Sequence, residues 1–195
     1  ELEASSVVLE PLARYDEKGN MLAWLAESIP TVANGGVSKD LTSITWKIKK
    51  GIKWSDGSAF TADDVVFTYD YCIHPDTGCS HTNYYTGISS VKALDRHTVK
   101  IVFNVAKPFP YSAFVGYNTP ILQKAQFDGC QGAKAQECTK QNFYPIGTGP
   151  FKVVDFKAND VIVFEANPNY RNPNKPAFSK LVFKGGGDAT SAART

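Results

Sequence analysis

The stretch ITWKIKKGIKWSDGSAFTADDVVFTYDYC, residues 44–72, changes its hydrophobic period midway, and that change decides the fold class. In its first part Ile44, Trp46 and Ile48 alternate with Thr45, Lys47 and Lys49, and a period of two predicts a half-buried strand. KWSDGSAF then turns around Asp56-Gly57. In the last part Thr61 is followed three residues later by Asp64, the spacing of a capping box, and Asp63 with Asp64 suits the positive end of a helix dipole. Val65, Tyr69 and Cys72 recur at helical spacing, and Pro75 stops the helix. Metal or acid/base chemistry is conceivable for Asp56, Asp63 and Asp64, but a turn followed by a capped helix accounts for all three.

Outward from this segment, extended chain dominates. VKALDRHTVKIVFNV reads as a hairpin turning at Asp95-Arg96-His97, with Val99, Ile101, Phe103 and Val105 on one face. FKVVDF and DVIVFEA form a second hairpin, and KLVFK near the C-terminus is a further strand. Upstream, residues 2–14 predict a short helix interrupted near Pro11, YDEKGN predicts a turn, and Asn34-Gly35-Gly36 marks a tight turn. NPNYRNPNKP is too rich in Pro and Asn for regular structure and reads as a connection at a domain boundary. The fold class is therefore α+β (mixed α/β), rich in strands.

The four cysteines lie in two local pairs, Cys72 with Cys79 in CIHPDTGCSH and Cys130 with Cys138 in CQGAKAQEC. His74 and His81 offer nitrogen ligands to a metal beside the first pair, but the spacing is not that of a structural zinc site, and the second pair has no histidine nearby. The pattern favours two small disulfide loops and an oxidising compartment over a metal site or free thiols.

The chain has 195 residues, 43% of them hydrophobic, which is enough to bury a core in one large or two small domains. The formal net charge is +2, with no basic run longer than Lys49-Lys50, so the basic stripe of a nucleic-acid binder is missing. No segment reaches the roughly 20 apolar residues that span a bilayer. The chain starts at Glu1 with no apolar leader, and is expected to be a trimmed, exported product.

Four motifs, LAES at 25–28, TWKIKKGIKWSDGSAFTADDVVFTYDY at 45–71, PIGTGPFKV at 145–153 and FEANPNYR at 164–171, occur in one order and spacing. Together they resemble the family 5 extracellular solute-binding proteins, the dipeptide and oligopeptide receptors of ABC importers. The resemblance implies a fragment of a periplasmic binding protein-like II fold. By that resemblance, residues of about 1–25 and 170–195 correspond to pieces of the ligand-binding first lobe and residues 26–169 to its β-rich accessory subdomain, and the second lobe is expected to be absent from this chain. It further implies a periplasmic or cell-surface receptor whose partners are a peptide or similar small solute and a membrane permease.

By position in that family, HTNYYTG brings Tyr84 and Tyr85 toward a bound peptide, and Tyr117 with Asn118 approaches the cleft. Ordinary packing is the competing account for each. GGGDATSAA near the C-terminus, with Gly186, Gly187 and Asp188, is read either as an anion-holding helix start or as a simple strand-to-helix turn. GTGPF lacks the Lys-Ser/Thr of a phosphate loop and reads as a backbone turn. His97 lies beside Asp95, but no serine sits in a GxSxG elbow, so a hydrolase has no anchor and neither catalysis nor a cofactor is expected. The alternative to transport is an exported adhesion or structural module on the same fold.

Overall fold

The computed structural model describes residues 2–185, with side chains from Ala4 onward. The expected helix start carrying Gly186, Gly187 and Asp188 lies outside the described residues. The opening stretch builds β3 (Ser43–Lys47) and α2 (Ala62–Ile73), as its two periods predict. Ile44, Trp46 and Ile48 are fully buried, while Lys47 is exposed. β3 pairs antiparallel with β5 (Thr98–Phe103), setting Ile44 opposite Ile101 and Trp46 opposite Val99. β5 in turn pairs with β4 (Ile88–Asp95), giving the sheet order β3-β5-β4. The expected hairpin is present, with one correction. The strand ends at Phe103, where the Asn104 N–H leaves the ladder for Gly87 O, so Val105 does not join the buried face and is 72% exposed.

Asp64 shows why α2 starts where it does. Its buried carboxylate accepts the Thr61 N–H at 2.9 Å, the Lys124 N–H at 3.0 Å and Trp54 Nε1 at 3.4 Å. Burial pushes this carboxyl above the ordinary aspartate range, and the three donors pull against the shift. Asp64 and Asp56 of WSDGSAFTADDV thus serve structure, since Asp56 likewise accepts from the Ser58 N–H and hydroxyl and from Gln123 Nε2 at 2.8 Å.

At the N-terminus the helix is limited to α1 (Leu2–Ser5), which corrects the expected helix over residues 2–14. Tertiary pairing takes over the rest. Leu12 and Ala13 N–H groups donate to Phe114 O, and Trp24 and Ala26 N–H groups donate to Leu12 O. Residues Ala13–Tyr15 therefore form β1, paired with β2 (Met21–Ala23) across the predicted turn. The C-terminal part is an antiparallel meander of β6 (Phe151–Lys157), β7 (Val161–Ala166) and β8 (Lys180–Lys184). Two short helices, α3 (Lys124–Phe127) and α4 (Thr139–Phe143), flank the second cysteine pair.

Two hydrophobic clusters organise the molecule. The larger holds Leu12, Trp46, Trp54, Phe60, Ile101 and Phe114 with their neighbours, and Ile146 packs on its edge. The smaller joins Val8 to Phe151 and Phe164, with Leu181 and Phe183 packed against it. The clusters change over between Ile146 and Phe151, whereas the boundary expected near 169 and 170 falls between two strands of one sheet.

The changeover is the GTGPF motif. A Cβ on Gly147 would lie 1.9 Å from Val8 O, and one on Gly149 would lie 2.6 Å from Val7 O. Those glycines let two backbones touch, with Gly149 N–H donating to Val8 O at 2.9 Å and Phe151 N–H to Val7 O at 3.1 Å. The Asn-Pro connection is tied to the same place, because buried Asn167 donates Nδ2 to Gly149 O at 2.8 Å.

Candidate functional site: a cleft between the two clusters

Between the clusters lies an open cleft of about 910 Å³, within the usual size range of small-molecule sites. One wall starts at the end of α2, where Tyr71 and Cys72 lead into the disulfide loop that runs through Thr77 to Cys79. Both cysteine pairs are bonded, with Cα atoms 5.1 Å apart for Cys72 and Cys79 and 5.9 Å for Cys130 and Cys138. The sulfurs are bonded to one another, so the metal alternative loses its thiolates. His74 is occupied locally, its Nδ1 accepting the Asp76 N–H at 3.3 Å and its ring lying over Gly132.

Across the cleft stand Val153, Phe156, Ile162 and Phe164 of the β6–β7 hairpin, with Val8 and Leu9 beside them. A bulge between Val153 and Asp155 shifts the register of β6. It brings Val153 and Phe156 to one side, where a regular strand would place them on opposite faces. Phe156 stacks on Phe143 at 4.3 Å between ring centroids and 11° between planes, and both rings line the cleft.

Of the residues expected near a ligand, Tyr85, Tyr117 and Asn118 line the cleft. Tyr117 lines the cleft and is 48% exposed, and Asn118 lines it beside Thr119. Asn118 Nδ2 donates to the Tyr84 hydroxyl at 2.6 Å, so Tyr84 joins the group through its partner. His81 lies edge-on to Tyr84 at 5.9 Å. Tyr85 touches the cleft but is nearly buried, packed edge-on against Tyr69 and Phe114, and burial raises its hydroxyl pKa strongly. Sequence reasoning missed the opposing wall, whose assembly depends on the β6 bulge.

A second arrangement outside the cleft went unread in the sequence. Glu10, 3% exposed, accepts from Arg171 Nη1 at 2.6 Å, Trp24 Nε1 at 2.7 Å and Thr148 Oγ1 at 2.8 Å. The guanidinium of Arg14 lies 3.2 Å over the Trp24 ring, and Arg171 lies 5.0 Å from it. This network joins the N-terminal segment to the Asn-Pro connection.

A mixed fold of two packed units around an open cleft, held on one side by disulfide loops, defines a periplasmic binding protein-like architecture. The chain belongs to the bacterial extracellular solute-binding proteins, family 5 Middle, whose sequence model matches residues 20–195. Oligopeptide-binding protein AppA of Bacillus subtilis is 33% identical over 181 residues, covering 93% of this chain and 32% of that protein. The periplasmic oligopeptide-binding protein OppA of Escherichia coli is 27% identical over 171 residues, covering 79% and 31%. The crystal structure of Bacillus subtilis AppA with a nonapeptide superposes with a TM-score of 0.85 at 29% identity, covering 98% of this chain and 36% of that one. NikZ from Campylobacter jejuni with Ni(L-His) gives 0.79 at 26% identity, covering 96% and 35%. The chain thus spans about a third of the length of the relatives it matches. The family is one of extracellular binding proteins, and among the described residues no helix is long and apolar enough to cross a membrane.

Proposed function

We propose that this chain supplies part of the ligand site of an ABC importer's substrate-binding receptor, which captures peptides outside the cytoplasmic membrane and delivers them to the permease. The observation that carries this reading is the open cleft between the two clusters, lined by Tyr117 and by Asn118, which is bonded to Tyr84. Tyrosine faces accept varied side chains, and a hydroxyl or amide at the rim suits a peptide backbone. Tyr85 contributes mainly by holding that rim in place. The smaller cluster, with the 151–184 meander, is assigned to the first lobe and the larger one to the accessory subdomain, moving the boundary from residue 169 to about 150. Gly186, Gly187 and Asp188 are assigned to the lobe interface by their place in the family motif. The receptor is not an enzyme in this reading, and its affinity comes from enclosure between two lobes that close on a hinge.

The test is mass spectrometry of what denaturation releases from the purified full-length receptor carrying this chain. A ladder of short peptides supports the proposal. One defined non-peptide compound overturns the peptide assignment, and an empty cleft favours an adhesion module. By the same argument, the 195-residue chain alone binds peptide more weakly than micromolar in calorimetry, because the opposing lobe supplies half the enclosure.

A further inference from the structure

We propose that the open face of the β6–β7–β8 sheet is a packing surface for further polypeptide of the same receptor, so that a ligand meets only the other wall of the cleft. The inference rests on the chain being part of a longer receptor, not on the ligand being a peptide. Register sets Phe156 and Phe183 on either side of Ile162, and Val153 and Leu181 on either side of Phe164. Residues opposed on neighbouring antiparallel strands share a face. Val163 and Val182 are opposed on the other face. β7 and β8 therefore carry the runs VIVF and LVF, without the apolar/polar alternation of a sheet that keeps one face in water.

Within the described residues the covering of this sheet is partial. Of its three strands only Phe151 and Phe164 are buried, while Val153, Phe156, Ile162 and Phe183 are half-buried. β5 of the neighbouring sheet shows a finished layer, with Val99, Ile101 and Phe103 all buried. The smaller cluster adds only Val8 to its two phenylalanines, and segments of roughly 40 residues rarely build a sufficient core by themselves.

Two observations choose the occupant. This chain covers 32% of Bacillus subtilis AppA and 31% of Escherichia coli OppA, so most of such a receptor lies outside it and is available to add a layer. The cleft is also unequal in chemistry. Ser80, His81, Gln136 and Asn142 come from the disulfide loops, their flanks and α4, whereas the β6–β7 wall is apolar apart from Asn159 at the hairpin turn. Apolar side chains of a packed protein layer gain most by covering that wall.

The experiment is thiol labelling of the full-length receptor carrying Ile162→Cys or, in a second variant, Val153→Cys. Each is read in the ligand-free receptor, with a random hexapeptide mixture, and against the same protein unfolded in urea, with the wild type as blank. Both thiols are expected to react at least about a hundredfold more slowly in the folded, ligand-free receptor than in urea. A smaller protection without peptide overturns the inference, and protection that appears only on adding peptide assigns the face to the ligand instead. Protection lost on dilution assigns it to a second copy and overturns the inference as well. Should both variants fail to fold, hydroxyl-radical oxidation of the wild-type receptor reads the same face. Phe183 is then expected to be oxidised at least about tenfold more slowly than in urea, and a smaller difference overturns the inference. The ligand-free arm decides the matter whether or not peptides bind, so this inference and the peptide reading fail separately.

Discussion

The Gly132 N–H donates to Thr77 Oγ1 at 2.9 Å across 55 residues of sequence, and so fastens one disulfide loop to the other. Gly132 has φ +62°, and a Cβ placed there would come within 3.0 Å of His74 Cε1. Gly132→Ala is expected to destabilise the protein by about 1–2 kcal/mol through the left-handed backbone alone. Adding His74→Ala relieves the contact but leaves the backbone cost. Thr77→Val orphans a buried N–H and is expected to cost about 1–3 kcal/mol. Urea denaturation followed by tryptophan fluorescence reads all three variants. A Thr77→Val protein as stable as wild type would show that water replaces the hydroxyl.

Each disulfide closes a short loop, with the cysteines 7 and 8 residues apart. Chain-entropy closure over such spans is worth about 2–3 kcal/mol per bridge. Cys130→Ala with Cys138→Ala is expected to lower stability by that amount, and reduction with dithiothreitol should add the loss from the Cys72–Cys79 loop. Denaturation midpoints with and without reductant measure both effects.

Glu10 is buried in contact with Arg171, so Arg171→Ala leaves a carboxylate with two neutral donors and no cation in direct contact. The expected loss is about 3 kcal/mol, in the range for breaking one side of a buried pair. Glu10→Gln combined with Arg171→Ala should cost less than the two single changes added together. A double-mutant cycle gives the difference, and strict additivity would show that the two side chains are not coupled.

Asp40 supplies a pH dependence of definite sign. Hydrogen bonds from the Ser38 and Thr42 hydroxyls hold its carboxyl at about 2, below the ordinary 3.8. A carboxyl depressed in the folded state contributes stability above its unfolded value, and that contribution is lost as pH falls through the folded value. The stability gap between wild type and Asp40→Asn should therefore be constant from pH 7 down to about 4 and close toward about pH 2. Thermal denaturation across that window measures the gap, and a gap that persists at the acid end would place its origin elsewhere.

The elements legible in the sequence are those written in local periods. β3, α2 and the β4–β5 hairpin follow from alternation, an N-terminal cap and a short turn, all within a few residues of one another. β1 was invisible for the opposite reason. Ala13–Tyr15 becomes a strand only because Ala13 meets Ala23 and Val115, and three residues carry no period of their own. The Glu10–Arg171 contact spans 161 residues and leaves no local trace. Of the cleft lining, Tyr117 and Asn118 are singled out by motif position. The apolar wall was hidden because alternation assigns Val153 and Phe156 to different faces, and the bulge in β6 reverses that assignment.

The crossing of Gly147 and Gly149 over Val7 and Val8 has a mechanical meaning. The N-terminal segment gives up two carbonyls to this seam, so it works as a strap across the changeover between the two clusters. Any side chain at Gly147 would wedge that seam apart by its first carbon. Val8, pinned in that seam, also lines the cleft, so one residue belongs both to the join between the clusters and to the space they leave open.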